Sequence, residues 1–224
     1  GLTMGAATGG SLTGITIATS ADPTASSGVS SGVIGGQATS PSFAISASDR
    51  LAGKTSAAAT FSFTTTAGGA LATGSTITLT YPTGFFSSTG TPGVQISGTG
   101  PPTGTVATPT STQIVITTAS QSIAASTAVT VTVTGLTMGA ATAGSSNGIT
   151  IATSADQTAS SGVSSGVIGG QVTSPSFAIA TSDRVAGKTS AAATFSFTTT
   201  AGGALASGSN ITLTYPSGFF ASAG

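Results

Sequence analysis

The chain has 224 residues, four basic and four acidic side chains, zero net charge, and no histidine, cysteine or tryptophan. Without cysteine or histidine, disulfide frameworks, zinc or copper sites of the usual ligand types, and Ser-His-Asp or Cys-His catalysis are excluded. Zero net charge leaves no basic field for nucleic acid or an anionic membrane, and no apolar run reaches the roughly 20 residues of a membrane-spanning helix. Serine and threonine make up about a third of the chain. They interleave with Val, Ile and Phe at strand spacing, which argues for folded β structure rather than a disordered polar tract. No signal-peptide pattern is visible, and the first residue is Gly1, so the expectation is a mature product or an internal piece of something longer.

Residues 1–90 match residues 135–224 without a gap at an offset of 134, differing at 13 of 90 positions. That period is too long for a solenoid coil and suits a whole domain. Ser40-Pro41 and Ser174-Pro175 mark the natural joints, because a Gly/Ser-rich passage precedes each and proline resists continuing a strand. The expected division is 1–39, the C-terminal part of a preceding repeat; 40–173, one complete β-sandwich repeat; and 174–224, the N-terminal part of the next.

Within 40–173 the elements read in order as short strands at about 42–47, 57–66, 75–81, 93–97, 104–107, 112–118, 127–134 and 148–153, with a last one near 166–173. In the second, Ala57, Ala59, Phe61 and Phe63 fall on one face and Thr60, Ser62 and Thr64 on the other. In the third, Ile77, Leu79 and Tyr81 oppose Thr76, Thr78 and Thr80, so the two are expected to form an antiparallel pair, apolar side in and hydroxyl side out. Phe43, Ile114, Ile116, Val129, Val131, Val133, Ile149 and Ile151 complete the expected core. Turn formers separate the strands, including those at 82–84, 91–93, 98–102 and 145–148. Residues 156–165 are polar and are read as room for a short helical turn. The predicted fold is all-β, with under about a tenth helix.

The search for chemistry leaves little. Asp49 and Asp156 are the two carboxylates of 40–173, and nothing in their spacing pairs them for glycoside hydrolysis. Gly187-Lys-Thr189 lacks the glycine and helix of a phosphate loop. No catalytic residue, cofactor or metal site is expected. The cluster Asp49, Arg50 and Lys54 returns as Asp183, Arg184 and Lys188. It reads either as a solvated loop with a local Asp–Arg pair or as an inter-domain or inter-chain contact that sets register in an almost uncharged chain. Asn210 opens an Asn-Ile-Thr acceptor pattern for N-glycosylation; the first copy has Thr76 there.

The succession Thr-Phe-Ser-Phe-Thr-Thr, Gly-Gly, Gly-Ser-Thr-Ile-Thr-Leu-Thr-Tyr-Pro-Thr-Gly-Phe, then Val-Thr-Val-Thr-Gly-Leu and Gly-Ile-Thr-Ile-Ala-Thr-Ser, resembles immunoglobulin-like tandem repeats of very large cell-surface, S-layer-like and adhesin-type structural proteins. The resemblance covers most of each unit and lies in strand and turn signatures. It implies an antiparallel immunoglobulin-like β-sandwich in tandem repeats of about 134 residues, at the cell surface or outside the cell. The implied function is a structural module of a fibre, filament, stalk or surface layer. The alternative is the extender of an adhesin whose binding tip lies elsewhere. The expected partners are copies of itself and glycans, with no nucleic acid and no membrane span. Many bacterial relatives rigidify their joints with calcium held by aspartate-rich linkers, clusters this chain lacks.

Overall fold

The computed structural model describes residues 1–97, 104–120 and 122–221; the turn expected at 98–102 lies outside them. The chain is all-β and its strand pairs are antiparallel, with 3% helix and 36% strand. Among the described residues ten strands are defined: β1 Thr39–Ile45, β2 Ala57–Thr64, β3 Thr76–Thr80, β4 Gly93–Ser97, β5 Gly104–Val106, β6 Gln113–Thr118, β7 Ala128–Leu136, β8 Thr150–Thr153, β9 Thr173–Ile179 and β10 Ala193–Thr198. The first eight form two four-stranded sheets, ordered β1-β2-β7-β4 and β5-β6-β3-β8, while β9 and β10 form a separate pair.

The period-two reading holds where it was strongest. Along β2 burial alternates residue by residue from Ala57, so both phenylalanines enter the core while Thr60, Ser62 and Thr64 stay partly exposed. β3 does the same with Ile77 and Leu79. One core cluster takes residues from both sheets, Phe61, Phe63 and Val131 from the first and Ile77, Leu79 and Ile116 from the second. Each such fully buried side chain contributes roughly 1.5–3 kcal/mol.

Three expectations differ from the structure. β2 and β3 do not pair: β2 lies between β1 and β7, and β3 between β6 and β8. The link between them is too long for a tight hairpin. It crosses the end of the sandwich, burying Leu71, which bridges Ile123 on the way. Residues 156–165 hold bends and isolated bridges at Thr158 and Val163, not a helical turn. Near 166–173 there are single bridges at Ile168 and Gly169 before β9 opens at Thr173.

Of the expected core, all but Phe43 are buried; Phe43 is partly exposed and packs against the cluster. Phe85 and Phe86 join the core. Their rings stand edge to face at 5.0 Å, and Phe86 meets Tyr81 in the same way. Ser40 sits at φ +50° where β1 shifts register against β2. A left-handed serine before a proline marks a bulge that bends the strand into the sheet.

Tyr81 follows β3 with its ring buried and its hydroxyl donating to the Thr110 carbonyl at 2.8 Å. Burial pushes its pKa up to about 12. The folded value therefore lies above the ordinary value of about 10. The corresponding stability is intact below pH ~10 and is lost as the pH rises through about 12. Tyr81→Phe is expected to flatten that alkaline fall, read from denaturation midpoints of both proteins at pH 8 and pH 11.5. An equally steep fall in the variant would assign the loss to another group.

Candidate functional site

The most specific polar construction in the molecule is built around Asp156. Just after β8, Thr153 and Asp156 close a turn: Thr153 N–H donates to the Asp156 carbonyl at 2.9 Å, and Asp156 N–H donates to Thr153 Oγ1 at 2.8 Å. This Ser/Thr turn aims the carboxylate inward, and Asp156 is fully buried. Gly36 N–H donates to Oδ1 at 2.9 Å and Thr66 N–H to Oδ2 at 2.9 Å; Thr66 Oγ1 also donates to Oδ1. Three donors satisfy one buried carboxylate, which has no cationic partner among the described residues. A Cβ on Gly69 would collide with Oδ2, so the close approach requires glycine there.

The aspartate fastens two parts of the chain. Thr66 follows β2, whereas Gly36 belongs to the N-terminal arm, which is held by its own bridges Thr8–Ile34 and Ile15–Val29. Gln37 bridges Thr158 in parallel, and its Nε2 donates to the Ala159 carbonyl at 2.6 Å. Gly68 packs against the carbonyls of Ile34 and Thr8. The arrangement recurs 134 residues later: Thr142 bridges Ile168, Ile149 bridges Val163, and Gly202 packs against the carbonyls of Ile168 and Thr142. β9 and β10 likewise repeat the register of β1 and β2, Phe177 opposite Phe195 as Phe43 is opposite Phe61.

One member of the construction differs between the two places. Thr200 corresponds to Thr66 and Gly170 to Gly36. Thr200 Oγ1 is a buried side-chain atom with no hydrogen-bond partner among the described residues. The aspartate that corresponds to Asp156 is Asp22, at the opposite end of the chain. Asp22 already forms the same turn: Thr19 N–H donates to its carbonyl at 3.0 Å, and its own N–H donates to Thr19 Oγ1 at 2.9 Å.

The charged loop behaves as a clamp inside 40–173. Arg50 Nη1 donates to the carbonyls of Ser165 at 2.8 Å and Val167 at 3.2 Å, and its guanidinium lies 5.9 Å from the Phe43 ring centre. Burial lowers its pKa from the ordinary value. Asp49 accepts from Ala58 N–H at 3.3 Å, and the Lys54 carbonyl accepts from Met138 N–H at 2.8 Å. In the second copy Asp183 keeps the equivalent bond, from Ala192 N–H at 3.2 Å, while Arg184 Nε donates to the carbonyl of Ile179 at the end of β9. Asp183, Arg184 and Lys188 line a groove with Phe219 and Phe220. Asn210 is exposed and borders a second, apolar groove beside Thr200, Leu205 and Leu213.

The sequence weighs Asp156 only as a possible partner of Asp49 and misses its role. Its signal is Thr-Ser-Ala-Asp, present at 19–22 and 153–156. Among the described residues no three His, Cys, Asp or Glu side chains come together as a metal group, and no helix is long and apolar enough to cross a membrane. A scan against protein-family models and searches of curated proteins and solved structures found no match.

Proposed function

We propose that this chain is a structural module of an extracellular or cell-surface fibre, filament, stalk or surface layer built from immunoglobulin-like units of about 134 residues joined end to end. The observation that carries the reading is one sequence in two states. Thr-Ile-Ala-Thr is strand β8 at Thr150–Thr153, but at 16–19 the same four residues are in no strand. Residues 210–214 repeat β3 with one change and are likewise in no strand. The side chains follow: Ile151 is 0% exposed and Ile17 70%, Leu79 0% and Leu213 46%. The same strand sequences have sheet neighbours in the middle and, among the described residues, none at 16–19 and 210–214. An apolar half-sandwich is marginal in water, so a sequence of this kind is stable only beside neighbours of the kind the middle supplies. The immunoglobulin-like reading is supported by β2 lying between β1 and β7 in one sheet while β3 lies between β6 and β8 in the other.

Electron microscopy of native material tests the reading. Continuous threads of evenly spaced beads are expected; isolated compact particles of one size would reject it. The hydroxyl-rich outer faces are expected to carry glycans, at Asn210 or on Ser/Thr. Mass spectrometry of native material returning the bare polypeptide mass would remove that expectation.

A further inference from the structure

We propose that each repeat is set on the one before it at a fixed angle, through a seat that the tail of one unit offers to the Ala-Gly-Gly turn of the next. The proposal rests on the modular reading and deepens it by naming the contact surface and its partner, the following unit of the same chain. Both halves of this contact lie inside the described residues, and they meet at two places. The joint between residues 1–39 and the middle unit brings the turn at 67–69 onto the bridge between Thr8 and Ile34. The joint between the middle unit and residues 174–221 brings the turn at 201–203 onto the bridge between Thr142 and Ile168.

The two joints agree in detail. In each bridge the paired residues exchange both backbone hydrogen bonds, at 2.9 and 2.9 Å for Thr8 with Ile34 and at 3.0 and 2.9 Å for Thr142 with Ile168, so the seat is braced on its own. A Cβ on Gly68 would collide with the carbonyl oxygen of Ile34, and one on Gly202 with that of Ile168. Backbone therefore packs directly on backbone, an approach that only glycine allows. Beside it, a Cβ on Gly36 would stand 3.0 Å from the Ala7 Cβ and 3.3 Å from the Thr66 Cγ2. One on Gly170 would stand 2.9 Å from the Ala141 Cβ and 3.0 Å from the Thr200 Cγ2. The placements match to a few tenths of an ångström, although among the described residues only the first joint also holds a carboxylate, that of Asp156. The glycine contacts thus set the angle, and Asp156 locks it. Relative motion is the rule where a linker alone connects two domains. Here the linker has no free length: Gly36 and Gly170 belong to the seat itself, and β1 and β9 open three residues later, at Thr39 and Thr173. Units repeating one closely packed step form a stiff, open helical rod and not a freely bending string.

The test measures both joints in the full chain, whose lack of cysteine makes paired labels unambiguous. Ser30→Cys with Ser48→Cys spans the first joint, and Ser164→Cys with Ser182→Cys spans the second. All four serines are exposed, and the second pair is the first moved by the 134-residue offset. Spin labels on each pair are expected to give one narrow distance distribution, with the same mean for both. Gly202→Val, whose side chain has no room in the seat, should shift and broaden the second distribution. The first distribution should stay as in the parent, which also shows that the middle unit is still folded. Different means for the two pairs, a broad distribution at either, or a second pair indifferent to Gly202→Val would overturn the proposal. If the means differ while native material still shows evenly spaced beads, the fixed angle fails and the modular reading survives. Isolated compact particles of one size would reject the modular reading, and the proposal with it.

Discussion

Phe61→Ala is expected to destabilise the fold by about 3–5 kcal/mol, the usual cost of emptying an aromatic site in a close-packed core. Phe61 is 0% exposed, sits opposite Val131 in β7, and its ring lies 4.9 Å from Phe43. The chain provides its own control: Phe195 has the same neighbours in sequence and the same strand register, yet is 38% exposed. Phe195→Ala should cost under about 1 kcal/mol in dilute solution, and so should Thr78→Ala on the outer face. Denaturant midpoints of the three variants decide the matter. Equal losses at Phe61 and Phe195 would mean that the terminal sheet is already covered.

Asp156→Ala is expected to cost about as much, roughly 3–5 kcal/mol, through a different mechanism. Removing the carboxylate leaves the N–H groups of Gly36 and Thr66 and the Thr66 hydroxyl without an acceptor in a buried site, at roughly 1–3 kcal/mol each. Because Gly36 belongs to the N-terminal arm, the arm should also loosen, and proteolysis between residues 1 and 38 should accelerate before the core unfolds. Asp156→Asn keeps one acceptor oxygen and should recover part of the loss. Asp22→Ala, in the turn of the same sequence, should leave monomer stability within about 0.5 kcal/mol of the parent. If Asp156→Ala proved as mild as Asp22→Ala, the three-donor construction would not be holding the joint.

The contrast between Phe61 and Phe195 also marks what a sequence can carry. Alternation in Ala57–Thr64 and Thr76–Thr80 gave the correct faces because burial on one side of a pleated strand forces a period of two. It did not give the partners. Nothing local in β2 says that its neighbours are β1 and β7 and not β3, since β7 comes from far along the chain. The two copies of Thr-Ile-Ala-Thr make the same point more sharply, with one sequence forming a strand or no strand according to what lies beside it. The site was legible only in part. Arg50 was singled out by being one of few charges, and its inward turn onto two carbonyls follows from the loop geometry. Asp156 looked like an ordinary surface aspartate because its three donors come from residues 36 and 66, 120 and 90 positions away in the chain.

The measurement closest to the central claim is hydrogen exchange of the intact chain, read by mass spectrometry. The amides of 57–64 and 128–136, inside the core between the two sheets, should be strongly protected. Those of 193–198, which carry the sequence of 59–64 in the separate β9–β10 pair, should exchange faster. Equal protection of 59–64 and 193–198 would contradict an account in which one unit of two packed sheets is what makes these strands stable.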